Sequence, residues 1–227
     1  LAGQIEALLP LLKNRELRWS ALKRLRVFHG VRGNTTQSIA FARDMLTLAE
    51  SRSRPDAMIY SAALLGASLL EAGRLNECAS CLQQGLAQLA KSERSESQAR
   101  LFGIPVNRHL LLIQCAIVSW LQGNGTLSLD FERQAQALGR ANLWPHSKVV
   151  ADFWYSMLYW QRRDSRQARE AGERLRLDGE RHDMPHTRAS GLFACGWADA
   201  CDGKAAGVDQ MRAAIDALIA LRHGLHN

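Results

Sequence analysis

The sequence predicts an all-α fold, a right-handed α-solenoid of about five helix–turn–helix repeats with a period near 40 residues. Three observations predict it. Four of the five prolines, Pro55, Pro105, Pro145 and Pro185, recur at spacings of 50, 40 and 40. Eighteen residues after them stand Gly73, Gly123, Arg163 and Gly203, and forty before Gly73 stands Gly33. Two columns keep step with these five anchors. Arg26, Gly66, Ala116, Ser156 and Gly196 lie seven residues before them, and Ser38, Cys78, Ser128, Ala168 and Val208 lie five after. Both columns are small in four of five places, which lets two helices joined by a turn approach closely.

Each repeat is helix A, tight turn, helix B. Helix A is expected over 16–32, 55–72, 106–122, 145–162 and 185–202. The Pro column suits its first turn, where a missing N–H costs nothing. The Gly anchor suits the turn, because a residue just past a helix often takes a positive φ. Helix B is expected over 35–51, 75–91, 126–141, 165–181 and 204–222. It is amphipathic: Leu75, Cys78, Ala79, Leu82, Leu86 and Leu89 share a face, with Gln83, Gln84 and Gln88 turned away. Residues 1–14 read as the remnant of a preceding helix, and 92–104 as a longer loop. No strand alternation requires β-structure. Arg163 in place of Gly leaves the register of the fourth repeat open by one residue. Residues 1–227 are thus expected to form one superhelical domain, with repeats near 15–51, 55–91, 105–141, 145–181 and 185–223.

The composition is that of a folded soluble chain, with 227 residues, 47% hydrophobic and 22% charged. Seventeen glycines and five prolines are too few for a disordered linker. Five cysteines, an odd and sparse set, argue against a disulfide framework. No apolar run reaches the roughly 18 residues of a membrane span. The start, Leu1-Ala2-Gly3-Gln4, has no basic region of a signal peptide and reads as a cut from a longer chain. A cytoplasmic location is expected.

Small residues in both columns, a turn Gly and a Pro boundary resemble the tetratricopeptide (TPR) pattern, stretched from its usual period of about 34 residues. The Trp of the TPR fourth position is absent from every repeat, and Arg26 and Arg163 interrupt two columns. The wording of the repeats adds a narrower resemblance. Arg26-Val27-Phe28-His29-Gly30-Val31-Arg32-Gly33 and Ala42-Arg43-Asp44-Met45-Leu46-Thr47-Leu48-Ala49-Glu50 are similar to the C-terminal TPR arms of bacterial STAND-type signalling ATPases. So are Leu64-Leu65-Gly66-Ala67-Ser68-Leu69-Leu70-Glu71-Ala72-Gly73 and Trp120-Leu121-Gln122-Gly123. This resemblance implies a sensor arm that releases an upstream ATPase carrying a winged-helix DNA binder or a class III cyclase. Neither of those domains is in this sequence.

No Ser–His–Asp or Cys–His constellation can be argued from spacing alone. The only Gly-Lys pair, Gly203-Lys204, has Ala198 and Ala205 where a phosphate-binding loop needs Gly and Ser/Thr. Cys78 and Cys81 have the spacing of a metal pair but no second pair in reach, so buried small hydrophobes are expected. Cys115 and Cys195 occupy equivalent helix A positions and read the same way, while Cys201 falls near a turn. His182-Asp183-Met184-Pro185-His186 is broken by its proline and reads as an inter-repeat loop. His29 falls at a packing position. Asn34-Thr35-Thr36 and Asn124-Gly125-Thr126 match glycosylation sequons but suit turns and helix N-caps. No enzyme, metal or cofactor is expected.

Two surfaces remain. Helix A lines the inner wall of such an array with residues 3, 6, 10 and 13 before each anchor. These offsets give a wall of Tyr60, Trp120, Phe153, Met157, Trp160, Phe193 and Trp197, apolar and aromatic. Either it holds a protein partner or small apolar effector, or it is buried against neighbouring structure; Trp154, Tyr155 and Tyr159 make the fourth helix A apolar all round. The second surface is basic, with Lys23 and Arg26 near the start and Arg162, Arg163 and Arg166 at the fourth turn. Interspersed Asp164, Glu170, Glu173, Asp178 and Glu180 suggest pairing on a solvated face. Three functions follow: a sensor that binds an effector or partner, a homo-oligomeric scaffold, and, with least support, a nucleic-acid-binding solenoid served by the net charge of +7. No recognition helix or RNA motif supports the last.

Overall fold

A computed structural model describes residues 2–51, 55–92, 100–101, 104–105, 108–138 and 145–224. The order of helices is α1 (Ala2–Leu8), a 3-10 turn (Leu9–Leu11), α2 (Arg15–Val31), α3 (Thr35–Glu50), α4 (Pro55–Glu71) and α5 (Leu75–Ser92). Then come α6 (Arg108–Leu121), α7 (Gly125–Ala137), α8 (Pro145–Gln161), α9 (Ser165–Arg181), α10 (Pro185–Cys201) and α11 (Ala206–Gly224). All five helix A–helix B pairs are present. The long loop between α5 and α6 falls largely outside the described residues. In its described part β1 (Arg100–Leu101) pairs antiparallel with β2 (Ile104–Pro105), a two-residue ladder that leaves the fold all-α. Pro105 thus stands in a strand, whereas Pro55, Pro145 and Pro185 open α4, α8 and α10 as their column requires. The chain forms two compact units, Leu1–Val118 and Ser119–Asn227.

The anchor column has one backbone cause. Gly33, Gly73, Gly123, Arg163 and Gly203 all have positive φ, between 57° and 82°. At each, the anchor N–H donates to the carbonyl three residues back, and the next N–H donates to the carbonyl five back. Gly33 and Asn34 bond to Gly30 and His29, for example, and Arg163 and Asp164 to Trp160 and Tyr159. This is the Schellman closure of a helix C-terminus. Arg163 therefore keeps the register of the fourth repeat, at the cost of a left-handed conformation that L-residues avoid. The turn between α9 and α10 adds Asp183 at φ 48°. Asn124 and Asp164 cap α7 and α9 by accepting from Leu127 N–H and Gln167 N–H. Asn34 does not cap through its side chain; its amide lies 3.4 Å from His29 Nδ1.

The register slips in the fifth repeat instead. Ser38, Cys78, Ser128 and Ala168 are fully buried, but Val208 is 39% exposed and Gly207 is buried in its stead. In the first four repeats the column residue's N–H bonds four residues back. In α11, Gly207 N–H bonds to Lys204 O and Val208 N–H to Ala205 O, three residues back. The overwound first turn advances the buried face by one residue. Gly207 then meets Gly196, where an added Cβ would come within 2.8 Å of Gly207 O. In the first unit, Trp19, Leu22, Met45, Ala49, Ala57 and Leu64 form a buried cluster joining α2, α3 and α4. In the second, Gly172, Gly179 and Gly191 bring the backbones of α9 and α10 together.

Candidate functional site

The second unit contains six of the seven wall residues. Phe153, Met157 and Trp160 recur at i, i+4 and i+7 along α8, and Phe193 and Trp197 stand at i and i+4 along α10. The opposite side of α8 is buried: Trp154, Tyr155, Leu158 and Tyr159 are each 6% exposed or less. The wall side is not. Trp160 is 41% exposed, and Trp120, Phe153, Met157, Phe193 and Trp197 are half-buried. Trp160 and Phe193 meet edge to face with ring centres 5.9 Å apart, which links the stripes of α8 and α10.

A polar network fixes one side of this wall. Trp120 donates its indole N–H to Gln161 O at 3.2 Å. The Arg162 guanidinium lies over the Trp120 ring at 5.5 Å. Arg162 pairs with the Glu132 carboxylate and donates to Ser128 Oγ at 2.6 Å. Both charged side chains are 10% exposed. Tyr159 donates to Glu132 at 2.8 Å. Burial raises the Tyr159 hydroxyl's pKa well above the ordinary tyrosine range, and the adjacent Glu132 charge raises it further.

The same offsets in the first unit do not all face solvent. Ala63, Ala67, Leu110, Ile113 and Ile117 are buried, because α4 and α6 are apolar on every side; Val27 is 44% exposed. Tyr60 is half-buried and packs on Trp19 at 5.6 Å, with Lys23 Nζ 5.9 Å from its ring centre.

The basic surface is corrected at two residues. Arg26 is buried, bonding through Nε to Ser68 Oγ at 2.9 Å and facing Glu71 at 3.6 Å. Burial pulls its pKa below the usual value, and Glu71 only partly offsets this. Ser38 and Ser68, 2.9 Å apart, leave room beside it, which is how an arginine fits a column of small residues. Arg162 is the second, buried in the pair described above. Lys23 is half-buried, its pKa lowered by burial and then by Arg24. Arg163 and Arg166 are exposed, and Arg166 pairs with Glu170 at 3.0 Å. Neighbouring arginines are also matched: Arg169 with Asp199 and Asp202, Arg174 with Asp152, Arg176 with Glu173 and Glu180, and Arg181 with Asp178.

Four of the five cysteines and His29 are buried. Cys78 and Cys81 donate to Gly66 O and Ala62 O, and burial pushes both thiols up to about 12. Cys115 and Cys195 are raised to about 12 by the same cause; Cys201 is exposed. His29 is buried, with Nε2 2.7 Å from Glu6 Oε1, tying α1 to α2. Among the described residues, no group of three His, Cys, Asp or Glu could hold a metal ion. None of the described helices is long and apolar enough to cross a membrane. Sequence reasoning missed Glu132 and Asp152. The available signal was a carboxylate on the core face of α7 and another inside the apolar run of α8.

No protein-family model matches the chain, and no curated protein matches it. Solved structures do. BtubC (BKLC) from P. vanneervenii is 15% identical, with a TM-score of 0.54 over 100% of this chain and 88% of that chain. The nearly identical TPR-like repeats of a Podosopora anserina protein named as a kinesin light chain are 13% identical, with a TM-score of 0.52 over 94% of this chain and 99% of that one. A single-substitution variant of the latter gives the same score and identity over 95% and 99%. The fold is an all-α solenoid of TPR-like helical repeats. At these identities the likeness is one of fold.

Proposed function

We infer that this chain is a non-enzymatic binding module whose aromatic wall on α8 and α10 takes an apolar ligand, either a segment of a protein partner or a small effector. The observation that carries the reading is the half-exposed set Phe153, Met157, Trp160, Phe193 and Trp197, with Trp120 held beside it by Gln161 and Arg162. Aromatic side chains left accessible on a rigid scaffold are the usual anchors of binding surfaces. Repeat solenoids of this fold commonly mediate protein interactions. In our reading the module works in the cytoplasm as the sensor arm of a bacterial signal-transducing ATPase or transcriptional regulator. The wording of the α2–α4 and α6 segments supports that context. The reading frame upstream of Leu1 tests it: a P-loop ATPase there is the expected result, and a frame opening at Leu1 refutes it.

The wall is tested by substitution. Trp160→Ala removes a ring that is 41% exposed and touches Phe193, so the protein should still fold cooperatively with a modestly lower urea midpoint. Binding of anilinonaphthalene sulfonate or an apolar peptide, followed by tryptophan fluorescence, should weaken by roughly 30-fold. Unchanged binding would remove the wall from the function. The pairing of the α9 arginines with carboxylates argues against a nucleic-acid role for that face, which would need unpaired cations along it.

A further inference from the structure

We propose, building on the reading of the α8–α10 wall as a binding surface, that its ligand is a proline-rich segment in the polyproline II conformation. Phe153, Met157, Trp160, Phe193 and Trp197 carry no charge, and neither do Val150 and Ser190, the next residues along the two stripes. The wall therefore selects neither a cation nor an anion. Its hydrogen-bonding atoms are nearly all of one kind. The indoles of Trp160 and Trp197 each carry one N–H donor, and neither makes a hydrogen bond among the described residues. The Trp120 N–H, by contrast, is taken by Gln161 O. Apart from the weak Met157 thioether, the five wall side chains offer no acceptor. Backbone carbonyls within α8 and α10 serve their own helical ladders. Ser190 turns its hydroxyl to His186 O at 3.0 Å.

A surface with donors and almost no acceptors discriminates among the ways a peptide can lie on it. An amphipathic helix satisfies its own carbonyls. Covering the wall with its apolar stripe would strip water from both indole N–H groups and return no acceptor. An extended strand brings carbonyls, but it also brings N–H groups that the wall cannot accept. A proline-rich segment has carbonyls free of internal hydrogen bonds and few N–H groups. Its rings are apolar, they pack on aromatic faces, and its conformation is set before binding. The spacing agrees. Phe153 and Trp160, seven residues apart on α8, are separated by about 10.5 Å along the helix axis. One turn of polyproline II advances about 9.3 Å, so prolines three residues apart can reach both rings.

Capped decaproline and a neutral apolar dye, N-phenylnaphthylamine, test this on the whole chain by calorimetry and tryptophan fluorescence. The wild type should bind both. Trp160→Phe and Trp197→Phe each keep an aromatic ring and remove one donor. Each should weaken decaproline by roughly 5–10-fold and leave dye binding within about twofold, with circular dichroism checking the fold. A capped amphipathic helical peptide should bind more weakly than decaproline. Tighter binding of the helical peptide, or undiminished decaproline binding in both variants, overturns the proposal. A wild type that binds the dye in a Trp160-dependent way but not decaproline also overturns it, and leaves the wall as a binding surface. If neither probe binds, the reading of the wall falls with it.

Discussion

Replacing Arg163 by Gly should stabilise the protein although it removes a whole side chain. Arg163 holds φ 57° at the C-terminal closure of α8, where the four equivalent turns have glycine. A left-handed conformation costs an L-residue about 1–2 kcal/mol, and glycine escapes it. Glycine also gains freedom in the unfolded chain, which returns up to about 1 kcal/mol of the benefit. The side chain is exposed and no ion pair is observed for it among the described residues, so little else is lost. The net gain is about 0.5–1 kcal/mol, a rise in Tm of roughly 1–4 °C for a domain of this size. The reciprocal change is the control. An added Cβ at Gly123 meets nothing within 4 Å, so Gly123→Arg isolates the effect of φ 82° from that of crowding. It should lower stability by about 1–2 kcal/mol. Urea unfolding followed by circular dichroism reads both. A destabilised Arg163→Gly, or a neutral Gly123→Arg, would refute the view that backbone conformation writes the anchor column.

Other consequences concern packing and titration. In Gly179→Ala the new Cβ would overlap Arg188 N and lie 2.7 Å from Arg188 Cα. The α9–α10 contact must open, and stability should fall by about 2 kcal/mol despite alanine's better helix propensity. With thiols raised to about 12, Cys78, Cys81, Cys115 and Cys195 should resist iodoacetamide in the native protein at neutral pH. Cys201 should label, which mass spectrometry reads as one adduct per chain. Tyr155 and Tyr159 have pKa values raised in the fold. Unfolding above pH about 10 therefore releases protons, and stability should decline as pH rises through that range. An alkaline urea series showing no decline would mean that these hydroxyls ionise in place.

Helix order, turns and most helix ends were legible because each rests on local chemistry repeated five times. A positive φ wants glycine, a first helical turn tolerates proline, and a close helix crossing wants a small residue. Exceptions arose where a non-local partner decided. Arg26 fits a column of small residues only because Ser38 and Ser68 face it across α3 and α4. Arg162 leaves the surface only because Glu132 waits on α7. Nothing near either arginine in sequence announces its acceptor. The slip in the fifth repeat is local but subtle: Ala206-Gly207 offers a smaller pair than Gly207-Val208, and the overwound turn takes it. The aromatic stripe was visible as a pattern, while its exposure in the second unit and the burial of equivalent positions on α4 and α6 depend on what encloses each helix.

The network behind Trp120 gives the wall its rigidity, and one substitution measures how much. Glu132→Gln keeps the acceptor for Tyr159 and the volume on α7, but strips Arg162 of its counter-ion in a site where the side chain is 10% exposed. Leaving one partner of a buried pair uncompensated typically costs about 3–5 kcal/mol. Partial access of Arg162 to water places this case toward the lower end. Arg162 is also the cation over the Trp120 ring, and Gln161, next to it in sequence, accepts the Trp120 N–H. A guanidinium drawn toward solvent therefore loosens Trp120 as well. The near-ultraviolet circular dichroism of the native state should fall even where helix content holds, and binding at the wall should weaken without any wall residue being altered. Retained near-ultraviolet signal together with lost stability would separate the ion pair from the wall and make it a matter of folding alone.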